Sequence, residues 1–152
     1  MAILAAVRPI VGSISQIPQP ASSAERWANY VLLACKSERD PRTLGIWAHQ
    51  IAVSYTTLCE SCRLIGIQPR QARDFTRILR LLMQPFFEPR ELASFLDISD
   101  RRTLDSILRN AGFMPHAIVS RQMSVAYFLD NQRFIADKNA GLTIIRNILV
   151  TP

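Results

Sequence analysis

Two segments of the chain carry the same helical pattern, first at an offset of 45 positions and then at one of 46. The first, WAHQIAVSYTTLCESCRLIGIQP, begins at Trp47, and the second, LASFLDISDRRTLDSILRNAGFMP, begins at Leu92. One extra residue in the turn of the second segment accounts for the change of offset. Each pattern is typical of a short helix, a tight turn and a longer helix that a glycine ends. The repeat therefore predicts two helix-turn-helix units, with the small Ala48 and Ala93 where the two helices of each unit cross.

Capping residues divide the rest of the chain into further helices, and no alternating strand pattern competes with them. We expect Ser22 or Ser23 to cap a helix that runs to about Glu38, and Asp40 with Pro41 to open the next one. The chain is thus predicted to be all-α. Its expected parts are a flexible N-terminal arm (1–21), a first helix-turn-helix subdomain (22–68), a linker helix (69–84), a second helix-turn-helix subdomain (85–115) and a helical C-terminal extension (116–152).

The linker helix has one strongly apolar side. Its apolar residues fall at i, i+3, i+4 and i+7, which predicts a continuous buried stripe of Phe75, Ile78, Leu79 and Leu82. The opposite side carries four arginines, namely Arg70, Arg73, Arg77 and Arg80. This row is either a set of phosphate contacts or an ordinary solvated face.

Three features together resemble the DNA-binding domain of AraC/XylS-type transcriptional regulators, over about residues 24–115. They are WANYVLLACKSERDPRTLGIWA leading into A-x5-S-x3-L, the linker pattern RxxGIQPRQARDFTRILRLL, and the ending GFMP of the second unit. The resemblance implies sequence-specific binding to promoter DNA, with two recognition helices in successive major-groove faces. The chain departs from the family at Ala52 and Asp97, where glycine is common, in its slightly shorter recognition helices, in lacking a separate effector-sensing domain, and in residues 116–152.

The C-x-x-C of Cys59 and Cys62 lies on the helix that we expect Ser54 to cap and Gly66 to end. In the repeat Cys62 corresponds to Leu108, so it is expected to be a small buried hydrophobe, while Cys59 lies at the flank of the apolar side. A structural zinc site needs four ligands, and neither a second C-x-x-C nor an H-x-x-x-H is present. We therefore expect structural cysteines and no metal or other cofactor.

The outward side of each second helix supplies the candidate DNA contacts, because that side enters the major groove in a helix-turn-helix protein. Arginine can pair with guanine through two hydrogen bonds, and a carboxylate can accept from cytosine N4. The base-contact candidates are Thr56, Glu60, Arg63, Arg102, Ser106 and Arg109. The phosphate-contact candidates are Ser54, Tyr55, Arg70, Arg73 and Arg101.

The charge balance favours an anionic partner. The net charge is +6 and the sequence pI is about 9.9, which points to nucleic acid first and a membrane surface second. No apolar run approaches the roughly 18 residues of a membrane span. The two histidines, His49 and His116, are isolated, and no catalytic set of side chains can be recognised, so we expect no enzyme activity. The three cysteines form no disulfide framework, which suggests the cytoplasm.

The C-terminal extension is too apolar to be a solvated tail. Its large apolar residues are Tyr127, Phe128, Phe134, Ile135, Leu142, Ile144, Ile145, Ile148 and Leu149. They either pack on the helical domain or form a surface for a homodimer or another protein partner. Two functions follow: a small DNA-binding transcriptional regulator on double-stranded DNA, or a helix-turn-helix scaffold used as a protein–protein adaptor.

Overall fold

The computed structural model describes residues 22–84, 101–111, 124–132 and 140–150, and every regular element in these ranges is an α-helix. The predicted all-α class is therefore confirmed. The arm at 1–21 and the first helix of the second unit lie outside the described residues. The helices are α1 (Ser23–Cys35), α2 (Leu44–Gln50), α3 (Tyr55–Leu64), α4 (Pro69–Leu82), α5 (Arg101–Asn110), α6 (Val125–Asp130) and α7 (Ala140–Leu149).

Helix α1 begins where its capping residues predict. The Ser22 Oγ accepts from the backbone N–H of Glu25 at 3.1 Å, and the Glu25 carboxylate accepts from the Ser22 N–H at 3.0 Å. The hydrogen bond from the Ser22 backbone N–H is the main cause that lowers the pKa of the Glu25 carboxyl, and the Ser22 hydroxyl adds to the shift. The helix ends at Cys35, short of the predicted Glu38. The chain turns away there, and Arg80 of α4 donates to the carbonyl oxygens of Ser37 and Glu38 instead.

The prediction that Asp40 and Pro41 open α2 is wrong. The N-cap is Thr43, whose Oγ1 accepts from the Ile46 N–H at 3.0 Å. The Asp40 carboxylate is engaged elsewhere: Arg77 of α4 donates to it from Nε and Nη2, the closest approach being 2.8 Å. An ion pair formed across 37 residues of sequence therefore overrides the local capping signal.

Helix α4 lies in the middle of the molecule and packs against α1, α2, α3, α5 and α6. The predicted apolar stripe is confirmed at Phe75, Ile78 and Leu79, which are fully buried, while Leu82 is half-buried. The opposite side is not the continuous basic row that the sequence suggested. Arg77 is buried in its pair with Asp40, and Arg80 is half-buried against the connection between α1 and α2.

The described part of the C-terminal extension belongs to the core. Phe128 of α6 stacks on Phe75, which stacks in turn on Trp27 of α1, with ring centroids 5.3 and 5.9 Å apart. Helix α7 packs along α1 and buries Ile145 completely. Packing on the domain, one of the two predicted roles of these apolar residues, is confirmed for Phe128 and Ile145. Tyr127 and Ile148 stay partly exposed, and Phe134 and Ile135 lie outside the described ranges.

Candidate nucleic-acid interface

The connection between α2 and α3 is a four-residue turn, residues 51–54. Ala52 has a φ of 57°, in the left-handed region that glycine enters most easily. The turn is held by two backbone hydrogen bonds, from the Ala52 N–H to the His49 carbonyl at 3.2 Å and from the Val53 N–H to the Ala48 carbonyl at 3.1 Å. Ala48 and Ile51 are buried beneath it. The turn therefore fixes how α3 leaves α2.

Ser54 caps α3, as predicted. Its Oγ accepts from the Thr57 N–H at 3.0 Å and hydrogen-bonds the Thr57 hydroxyl at 2.8 Å. Ser54 itself is exposed, and so is Tyr55, the first residue of the helix. At the other end, Gly66 follows the helix with a φ of 84°. The two phosphate-contact candidates at the start of α3 are thus both at the surface.

The base-contact candidates on α3 form its solvent-facing side. Thr56, Glu60 and Arg63 are all exposed, while the buried side consists of Leu58, Cys59, Ser61 and Cys62. One further exposed side chain on this face, Leu64, was missed by the sequence analysis. Its helical position, opposite Leu58 and Cys62, was the available signal.

Both cysteines of the C-x-x-C are packing residues. Cys62 is fully buried, as expected, and Cys59 is buried too rather than lying at the flank. Burial is the main cause that raises the pKa of Cys62 to about 12, with Cys59 adding to the rise. The thiol therefore stays protonated near neutral pH, where the nucleophilic and metal-binding form is the thiolate.

Helix α5 presents the second set of candidates. Arg102, Ser106 and Arg109 are exposed, and Ile107 and Leu108 on the other side are buried. Leu108, the repeat counterpart of Cys62, is fully buried like it. The side chain of Arg101 lies outside the described part of the chain.

A buried carboxylate connects α5 to α4. The Asn110 Nδ2 of α5 donates to Asp74 Oδ2 at 3.2 Å, and Asp74 is completely buried. Arg73 donates from Nε to the other oxygen of Asp74 at 2.9 Å. Of the two phosphate candidates on α4, Arg73 is therefore partly committed to an internal ion pair. Arg70, in the first turn of α4, is exposed.

Within the described ranges, no group of three or more His, Cys, Asp or Glu residues could hold a metal ion. The same ranges contain no helix with both the length and the apolar character needed to cross a bilayer. Comparisons of the chain with protein-family models, curated proteins and solved structures found no match.

Proposed function

We propose that the chain binds double-stranded DNA sequence-specifically, as a small transcriptional regulator, with α3 and α5 as its recognition helices. The observation that carries the proposal is the two-sided character of α3. One side is anchored in the core through Leu58 and Cys62, and the other exposes Thr56, Glu60 and Arg63. A capped helix that follows a tight turn in this way is the element that a helix-turn-helix protein places in the major groove.

The diameter of a helix such as α3 suits that groove. An α-helix with its side chains is about 10–12 Å across, close to the roughly 12 Å width of the major groove. The exposed face of α3 mixes hydroxyl, carboxylate and guanidinium groups, which are the side chains that distinguish base edges. Contacts to phosphate alone would be better served by a uniformly basic face.

Helix α5 offers a similar but separate surface. Arg102 and Arg109 are exposed on it, and the buried Ile107 and Leu108 hold it on α4. The described part of the C-terminal extension packs on α1 and α4, and the candidate base contacts on α3 and α5 are exposed. The net charge of +6 favours approach to a polyanion.

Random-site selection on duplex DNA, followed by titrations of single-residue variants, tests the proposal. Arg102→Ala should lose about 1–3 kcal/mol of discrimination at one base position, because it removes a base-edge contact. Arg70→Ala should weaken all sequences alike and lower the slope of log affinity against log salt by about 1, because it removes a phosphate contact.

Arg146→Ala is the matched control, because Arg146 lies on α7, outside the two proposed recognition helices, and pairs with Asp130. It should leave both sequence preference and the salt slope nearly unchanged. If Arg70→Ala and Arg102→Ala behave identically, the assigned roles are wrong. Salt-independent association with a protein, and no binding to any duplex, would favour the adaptor function instead.

A further inference from the structure

The most exposed large apolar side chains of the described residues both lie on α3. Leu64 is 60% exposed and Tyr55 56%, ahead of Ile148, Leu33 and Tyr127 on other helices. Single exposed apolar residues are common on protein surfaces. Tyr55 begins the helix and Leu64 ends it, on opposite sides of the helix axis, so of the two only Leu64 shares the face of the candidate base contacts.

Leu64 belongs to the same face as the polar candidates. It follows Glu60 by four residues, so the two side chains lie about 40° apart around the helix axis and roughly 6 Å apart along it. Arg63 lies on the other side of Glu60, and all three side chains are exposed. Leucine has no hydrogen-bonding group, so it can contribute to recognition only through an apolar contact.

The floor of the major groove offers one apolar group, the C5-methyl of thymine. We infer that Leu64 is a further specificity-determining residue that packs on a thymine methyl. This inference rests on the proposed function. It also specifies part of the DNA site of α3, because Leu64 would select a thymine next to the base that Glu60 contacts.

A cycle of protein and DNA changes tests the inference. The duplex obtained by selection is made with each thymine replaced in turn by deoxyuridine, which removes only the methyl group. For the wild-type chain, one replacement should weaken binding roughly fourfold, as expected for one buried methyl group. For Leu64→Ala the same replacement should have almost no effect, because the contact is already lost.

Two further variants separate this contact from general effects of substitution. Leu64→Met keeps an apolar side chain of similar size and should keep the dependence on the methyl group. Leu33→Ala changes another exposed leucine, 38% exposed on α1, and should also leave the dependence intact.

Equal methyl dependence of wild type and Leu64→Ala at every thymine would overturn the inference while leaving the proposed function standing. A selected site without thymine in the part contacted by α3 would do the same. So would a Leu64→Ala variant that loses binding to a protein and keeps its full methyl dependence on DNA. If the wild-type chain selects no duplex at all, both the inference and the proposed function fail.

Discussion

Ala52 occupies a backbone conformation that is costly for a residue with a Cβ atom. Its φ of 57° lies within the four-residue turn that is held by hydrogen bonds to the His49 and Ala48 carbonyls. The left-handed region costs an L-residue roughly 1–2 kcal/mol. The strain at Ala52 accompanies the tight turn that sets the direction of α3 relative to α2.

Ala52→Gly should therefore stabilise the chain. We expect a gain of about 0.5–1 kcal/mol in the free energy of unfolding, which is the relieved strain less the extra entropy of glycine in the unfolded chain. Denaturant titration measures it. Ala24→Gly, at a helical position in the first turn of α1, is the control and should lose up to about 1 kcal/mol. Equal losses for both variants would show that the turn carries no strain.

At the scale of single elements, α4 is unusual in holding another segment by its charged side chains. Arg77 pairs with Asp40, and Arg80 donates to the Ser37 carbonyl at 3.0 Å and to the Glu38 carbonyl at 2.6 Å. Gln50 at the end of α2 donates to the Arg39 carbonyl at 2.8 Å. The connection between α1 and α2 is thus fastened from two helices.

Asp40→Ala should be destabilising, because it removes the carboxylate that accepts from Nε and Nη2 of the buried Arg77. Removing one member of a buried pair costs about 3 kcal/mol. Asp130→Ala is the matched control: it breaks an arginine–aspartate pair of similar length, 2.7 against 2.8 Å, whose side chains are exposed. Exposed pairs contribute little, so the free energy of unfolding should hardly change there. Similar effects of the two variants in denaturant titration would contradict the importance of burial.

The helix boundaries that depend on local signals could be predicted from the sequence, and those that depend on distant contacts could not. Ser22 and Ser54 act as caps because their hydroxyls reach N–H groups only three residues away. Asp40 has the same local signal, and Arg77 takes its carboxylate instead. Nothing in the sequence around Asp40 reveals that contact.

The candidate site follows the same division. The exposed positions of Thr56, Glu60 and Arg63 could be predicted, because Leu58 and Cys62 fix which side of the helix is buried. Leu64 was missed because the candidates were chosen among side chains that can hydrogen-bond to base edges. The Asp74–Asn110 contact joins residues 36 positions apart, so only the structure could bring α5 to α4 in this way.

For the whole molecule, the main consequence is that the described C-terminal helices complete the core rather than extend from it. Phe128 closes a stack of three aromatic rings, and α7 covers α1. The core formed by α1, α3 and α4 therefore depends on residues far along the chain. The stability of the fold and the position of α3 then depend on Phe128 and α7, which are not expected to contact a partner.

Ile145→Ala should cost about 3 kcal/mol of unfolding free energy, because it leaves a cavity where a fully buried side chain was. Ile148→Ala is the control: the same change on the same helix, at a side chain that is 45% exposed, should cost less than about 1 kcal/mol. Thermal or denaturant unfolding of the two variants measures the difference. A larger loss at Ile148 would indicate that α7 buries its outer side in an assembly of several chains.

The hydrogen bond between Asn110 of α5 and Asp74 of α4 has a consequence for how a bound duplex could twist. A large change in the angle between α4 and α5 would break the hydrogen bond from Asn110 to the buried Asp74 carboxylate, at a cost of about 1–3 kcal/mol. If α3 and α5 both bind one duplex, they would do so at a fixed rotational phase. Any overwinding or underwinding of the duplex would then fall on the base pairs between the two contacts. The stiffness of those base-pair steps would change the affinity, although the protein does not contact them.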